Sequence, residues 1–259
     1  MSVMHLVNVV RATFPYEWKN HSRDRQWQKE GRRFASPLGE TLNRDGIVTV
    51  PSYVSAEQCD LWKAQIDALT SGVEQTVKHP GGAEIEVRRE NDGREEYDTN
   101  MIDIKHVDRA VPGVHEIFDT PPLLEAIAEA CGERVKLINC NALVNRGVLN
   151  PRPFHSDSTG IVQYKGFIYL TDVPDPSYGP YCYVRGSHRL HWDKYENFAL
   201  NWWKGRPITD MRAHDERRAE KMLAPRGTLM LSNQNGFHRG WPQEPGRTRI
   251  LLLGNYVAA

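Results

Sequence analysis

The stretch Val135-Lys-Leu-Ile-Asn-Cys-Asn-Ala-Leu-Val144 marks a change of period in the chain. Before it, apolar residues recur at helical spacing. From it onward the pattern is that of strands, with side chains alternating between two faces. Residues 161–171, 181–185, 228–232 and 249–257 read as further strands, separated by Gly/Pro turns. Short strands after an early helical part predict a mainly β protein with flanking helices, built as a jelly-roll-like barrel.

Toward the N-terminus, 47–50 (Ile-Val-Thr-Val) is a strand by β-branching, stopped by Pro51. Glu40 to Arg44 reads as a short helix ended by Asp45-Gly46. Ser55-Ala-Glu-Gln58 is a capping box opening a helix that carries Cys59, Trp62, Ile66 and Leu69 on one face. A second helix begins with Pro121 and stops at Gly132. Residues 74–110 are charged and irregular, with turn signals at Pro80-Gly81-Gly82 and Asn91-Asp92-Gly93 and room for a hairpin. Residues 1–37 carry seven Lys/Arg against three acids and read as a solvated extension packed by Phe14, Trp18 and Trp27. The domain is expected to span 38–259. Within it, residues 193–225 lack strand pattern and read as an insertion or lid.

Lys+Arg and Asp+Glu are both 33, so the formal net charge is zero, which argues against a general nucleic-acid binder. No apolar run reaches the roughly 18 residues that cross a bilayer. The opening ten residues are too short and polar for a secretory signal. Cys59, Cys131, Cys140 and Cys182 are far apart, without a CxxC, and read as buried, reduced thiols. A cytoplasmic protein is the expectation.

The chemistry centres on His155, Asp157 and His238. His-x-Asp on a strand places both side chains on one face. A distant His completes a 2-His-1-carboxylate set, which occupies three positions of an octahedral Fe(II) and leaves three open. His-x-acid occurs four times, at His106, His155, His191 and His214. Only His155-Ser-Asp157 follows one clear strand, precedes another, and is followed at long range by a His before a terminal apolar strand. Arg249 opens the run Ile250-Leu-Leu-Leu253, where a guanidinium on an inward face needs an anion. A bidentate pair with a ligand carboxylate would supply one, and a structural ion pair would equally do so. Arg247 shares the parity of Arg249 and is its rival.

Four ordered segments together resemble the phytanoyl-CoA dioxygenase-like Fe(II)/2-oxoglutarate oxygenases. They are Asn43-Arg-Asp-Gly-Ile-Val-Thr-Val-Pro51 before a capped helix, Pro153-Phe-His155-Ser-Asp157, Tyr178-Gly-Pro-Tyr-Cys-Tyr-Val-Arg-Gly-Ser-His188, and His238 with Arg249. The resemblance runs from about Leu42 to Val257. It implies a double-stranded β-helix, with His155, Asp157 and His238 as iron ligands and Arg249 on the distal carboxylate of 2-oxoglutarate. It implies O₂ as the oxidant, succinate and CO₂ as co-products, and, with a carboxylate among the ligands, hydroxylation in preference to chlorination. His188 reads as part of a barrel-stabilising turn. Two positions depart from the pattern. Arg185 stands where Pro is usual. Gly240 stands where a hydroxyl residue often helps hold the cosubstrate, so Asn145, Gln163 and Tyr169 are candidate substitutes.

For substrate, Asn139 and Asn141 share a face with Leu137 and Leu143 and are candidate polar anchors. Trp202, with Trp203 and the arginines of 193–225, is a candidate lid contact. Those arginines favour an anionic small molecule. A small polar metabolite or natural-product intermediate is expected. Two other readings stay open: a cupin-type metal enzyme that does not use 2-oxoglutarate, and a non-catalytic jelly roll that binds it.

Overall fold

The structure is a computed structural model that describes residues 15–87, 97–157, 161–189, 192–206, 209–211 and 216–259. Two antiparallel sheets form a double-stranded β-helix. In the larger, β1 (Ile47–Val50), β2 (Val77–Lys78), β3 (Glu84–Val87), β4 (Met101–Lys105), β5 (Val135–Arg146), β6 (Gln163–Tyr169), β9 (Leu229–Asn233) and β11 (Thr248–Ala258) take the order β1-β9-β6-β11-β5-β4-β3-β2. The smaller joins β10 (His238–Gly240), β7 (Tyr181–Tyr183) and β8 (Glu220–Lys221), in that order.

Alternation along the strands divides the interior. Ile250 and Leu252 of β11, with Cys140, Ala142 and Val144 of β5, face a cluster built with the helices. Leu251 and Leu253 face the other way, onto Phe167, Tyr169, Tyr181 and Tyr183 between the two sheets. The helices behind the large sheet are α2 (Pro37–Asp45), α3 (Ala56–Thr70), α4 (Val114–Phe118) and α5 (Pro121–Cys131), while α1 (Pro15–Glu30) lies against the end of α5 and sets Trp18 on the cluster of Phe154, Phe198 and Phe237. Ser36 caps α2 by accepting from the Gly39 N–H at 3.0 Å, and Ser55 caps α3 by accepting from the Gln58 N–H at 3.2 Å. Each side chain satisfies a donor the first helical turn leaves unpaired.

Gly46 ends α2 with φ 76°, and a Cβ there would run into the His188 ring and the Tyr183 hydroxyl. His188 in turn hydrogen-bonds the Asn43 carbonyl at 2.9 Å through Nε2. The Gly-Ser-His segment is therefore a brace between the α2–β1 corner and β7. All four cysteines are free and buried.

Two regions differ from their sequence reading. Residues 193–225 are not devoid of regular structure. They contain most of α6 (Trp192–Trp203) and, in β8, a strand paired with β7, while Ala224 bridges Val173. The helical period is obscured because α6 buries polar side chains, Lys194, Asn197 and Asn201, and turns Trp202 and Trp203 outward. The 1–37 segment contributes α1, which is tied to the end of α5. Arg23 donates to the Cys131 carbonyl, Lys19 pairs with Glu133 at 3.0 Å, and the Arg32 guanidinium stacks 3.5 Å from the Trp27 ring centre. Phe14 lies outside the described residues. In 74–110, the hairpin lies between β2 and β3 around Pro80-Gly81-Gly82, and β3 continues by pairing with β4. No described helix is long and apolar enough to cross a membrane.

Candidate metal centre

His155, Asp157 and His238 converge although 83 positions separate the outer two: one ligand atom from each lies within 4.8 Å of the others. The backbone sets this up. His155 and His238 exchange N–H···O bonds of 3.1 and 3.0 Å, and the Asp157 N–H donates to the Gln234 carbonyl at 2.9 Å. β10 thus brings His238 opposite the His-x-Asp segment, and the two imidazole centres stand 4.5 Å apart.

The hydrogen bonds fix the imidazole tautomers. His155 Nδ1 lies 2.8 Å from the Pro153 carbonyl, and His238 Nδ1 lies 2.9 Å from the Gly236 carbonyl. A carbonyl only accepts, so each Nδ1 carries a proton, and in the neutral ring each Nε2 presents a lone pair. Those nitrogens stand 3.4 and 3.6 Å from Asp157 Oδ1. Three lone pairs aimed at one point repel unless a cation lies among them. Burial lowers the pKa of His155, which opposes a proton as that cation. Burial also disfavours the Asp157 carboxylate, but the Lys165 ammonium opposes this, and the group lies well below the ordinary carboxylate range. Two neutral imidazoles and an ionised carboxylate, each imidazole bonded through its second nitrogen, suit a divalent transition metal.

Arg249 lies in the barrel at 4% exposure. It donates through Nη1 to the Gly179 carbonyl, while Nε is buried without a partner. Burial lowers its pKa, with Tyr169 opposing. No carboxylate lies within ion-pair distance of it among the described residues. Asn145 is its register partner on β5, and Asn145 Oδ1 is likewise buried and unpartnered. Gly240 stands beside the guanidinium, where a Cβ would approach Nη2 to only 3.7 Å. His238 and Gly240 are two residues apart on β10, or about 7 Å. A short dianion chelated at the metal by one end would bring the other to Arg249, so orphaned polar atoms and open space both fit 2-oxoglutarate.

The other candidates fall in different places. Arg247 donates to the Tyr178 hydroxyl at 3.1 Å and stacks on that ring, so it is partnered at the surface. Tyr169 lines the interior beside Arg249, but its hydroxyl is engaged by the Tyr181 N–H (2.9 Å) and the Met222 carbonyl (3.1 Å). Gln163 sits six residues from Tyr169 at the far end of β6, roughly 20 Å away. Asn139 accepts from Asn255 at 2.6 Å, and Asn141 accepts from the His106 N–H at 3.1 Å. Trp202 is 65% exposed on α6. That helix is tied to the metal segment: Asn201 donates to the Asp210 carbonyl at 2.6 Å, and Asp210 bridges His155. Among the other His-x-acid pairs, His106 adopts left-handed backbone before a 3₁₀ turn. The His191 and His214 pairs fall on residues outside those described.

Sequence reasoning missed Lys165, whose Nζ lies 2.5 Å from Asp157 Oδ2. The available signal was a lysine at an inward position of β6, between Gln163 and Phe167. It also missed the Ser232 hydroxyl, which joins the Tyr181 hydroxyl at 3.0 Å and the Gln234 amide.

A barrel of two sheets closed over a buried His-Asp-His cluster defines a jelly-roll protein with a 2-His-1-carboxylate centre. The chain belongs to the phytanoyl-CoA dioxygenase (PhyH) family, whose model matches residues 42–249. Its fold is similar to that of SnoN, a non-heme alpha-ketoglutarate-dependent epimerase from nogalamycin biosynthesis (17% identity, 86% of this chain and 82% of that one, TM-score 0.61). It is similar too to the carbocyclase SnoK of the same biosynthesis (15%, 88% and 85%, TM-score 0.62). HygX from Streptomyces hygroscopicus, solved with nickel, 2-oxoglutarate and hygromycin B bound, shares the fold at 15% identity (87% and 88%, TM-score 0.57). No curated protein sequence matches the chain.

Proposed function

We propose that the protein is an Fe(II)- and 2-oxoglutarate-dependent dioxygenase that hydroxylates a C–H bond of a small polar metabolite or natural-product intermediate. The observation that carries this reading is the pairing of two incomplete sites: three lone-pair donors lacking a cation, and a buried guanidinium lacking an anion. Fe(II) and 2-oxoglutarate together would complete both. Family membership supports the same cofactors, as do the ligands bound by HygX and SnoN.

In this reading His155, Asp157 and His238 would hold Fe(II), and Arg249 with Asn145 would bind the far carboxylate of 2-oxoglutarate. The loaded metal would supply O₂ activation, one oxygen atom entering succinate as CO₂ leaves and the other entering the substrate as a hydroxyl. The chain's own work is to orient and shield. The Pro153 and Gly236 carbonyls hold the imidazoles in the ligating tautomer. The aromatic wall of Phe167, Tyr181 and Tyr183 keeps water from the interior. Asn139 and Asn141 stand at the more exposed end, where a polar substrate would enter, and the bulky molecules bound by HygX and SnoN agree with an open mouth. Trp202 and the nearby arginines would meet the substrate's outer part, an anionic one by preference.

The test is the visible spectrum of apo-protein given Fe(II) and then 2-oxoglutarate without oxygen. A weak charge-transfer band that requires both additions, disappears in His155→Ala and needs far more 2-oxoglutarate in Arg249→Ala is the expected outcome. Iron-loaded protein that shows no band would refute 2-oxoglutarate chelation, and with it this function.

A further inference from the structure

We infer that Lys165 is a positioning residue of the metal centre: it occupies the outer oxygen of Asp157, confines that carboxylate to single-oxygen coordination, and so keeps one metal position open. The inference rests on the metal-centre reading above and adds a role for a residue outside the ligand set.

The geometry divides the carboxylate. Oδ1 stands 3.4 and 3.6 Å from the imidazole Nε2 atoms, and Oδ2 accepts from the Lys165 ammonium. Lys165 makes no other side-chain hydrogen bond or ion pair among the described residues. Its neighbours in register are already committed. Ser232 on β9 bonds Tyr181 and Gln234, and Asn255 on β11 bonds Asn139. Neither of them competes for the ammonium, and pairing on both sides fixes its backbone. A lysine pointing into a barrel loses solvation and needs a charged partner, and the partner here is a ligand atom's twin. Carboxylates bind metals through one oxygen or two, and a hydrogen bond to the second oxygen is the usual means of choosing. Released from Lys165, Oδ2 is free to fold onto the metal and take one of the three positions that O₂ and a two-pronged cosubstrate need.

The experiment uses Mn(II), a redox-silent hard cation, and water-proton relaxation, which reports the exchangeable waters on the bound ion. Wild type, Lys165→Met, Lys165→Gln and Lys165→Arg are titrated, and relaxation is normalised to bound metal. The expected result for Lys165→Met is a loss of about one third of the relaxation per ion, three open positions becoming two. Lys165→Arg, which keeps a charged donor, restores it. A merely structural lysine would shift the melting temperature and leave relaxation per ion unchanged. Should Lys165→Met fail to fold, Lys165→Gln carries the same comparison with a neutral donor and an intermediate loss. Full relaxation per ion in these variants overturns the inference while leaving the metal centre intact. Wild type that binds no Mn(II) overturns the metal centre itself.

Discussion

The inward face of the large sheet has two ends with opposite characters. At one, Arg249 and Asn145 face each other across β11 and β5, deeply buried and with unpartnered polar atoms. At the other, Ser232, Lys165, Asn255 and Asn139 form a polar row across β9, β6, β11 and β5, and each has its hydrogen bond. Both rows are hydrophilic, so polarity does not distinguish a ligand site from a structural network. Completeness does. A satisfied row stabilises the fold by itself, whereas the Arg249 row costs folding free energy until an anion arrives.

The sharpest way to break that contrast is Arg249→Met. An unpaired buried charge costs roughly 3–5 kcal/mol, and the Gly179 carbonyl would lose its donor at about 1–3 kcal/mol. The variant should therefore be more stable than wild type without ligand, by about 1–2 kcal/mol, or a few degrees in melting temperature at this chain length. In oxygen-free, metal-loaded protein the order should reverse with 2-oxoglutarate. Wild type gains about 2.7 kcal/mol at 100 times its Kd, while the variant's affinity falls by about 2–5 kcal/mol, roughly 30- to 4,000-fold. Melting curves with and without 2-oxoglutarate check both halves. A variant less stable in both conditions would mean that Arg249 is a structural residue.

The His-Asp-His cluster was legible in the sequence and much of its surroundings was hidden, for physical reasons. His155 and Asp157 stood out because, of four His-x-acid pairs, theirs alone lies between two strands with a distant His before a terminal apolar strand, although in the structure the pair sits in an isolated bridge and not in a strand; β11 stood out because its apolar run includes one unexplained arginine. Lys165 did not, since an inward lysine looks the same whether it reaches solvent or a metal ligand. That depends on a register the sequence does not state. Helix α6 was hidden by inverted amphipathicity, with Lys194, Asn197 and Asn201 buried while Trp202 and Trp203 face out. Strand β8 was hidden by its length of two residues. Gln163 and Tyr169 share a strand face yet lie at opposite ends of it, a distinction that parity alone does not make.

A smaller effect sharpens the contrast from the other side. Gly240 leaves an opening beside Arg249, and its φ is not in the left-handed region, so Ser fits without backbone strain. Gly240→Ser adds a donor where a second carboxylate oxygen of the cosubstrate would lie. One added hydrogen bond contributes about 0.5–1.5 kcal/mol, so the Kd for 2-oxoglutarate should fall by roughly 2- to 10-fold. Anaerobic titration of the charge-transfer band measures it. A weaker Kd would mean that the dianion already fills the space at Gly240.

The smallest effect belongs to Trp202. It is 65% exposed at the end of a helix whose anchors are polar: Lys194 to the His188 carbonyl at 3.1 Å and Asn201 to the Asp210 carbonyl. The helix is thus held without its tryptophans, and Trp202→Ala should change stability by less than about 0.5 kcal/mol, the usual range for an exposed site. The Kd for 2-oxoglutarate should not move either, because α6 is tied to the metal segment through Asn201 and not through Trp202. An exposed tryptophan that neither folds the chain nor holds the cosubstrate is free to meet the substrate, as the lid reading requires. Thermal melts and the same anaerobic titration decide the matter. A larger loss of stability would make Trp202 part of the packing, and a shifted Kd would mean that α6 closes over the cosubstrate itself.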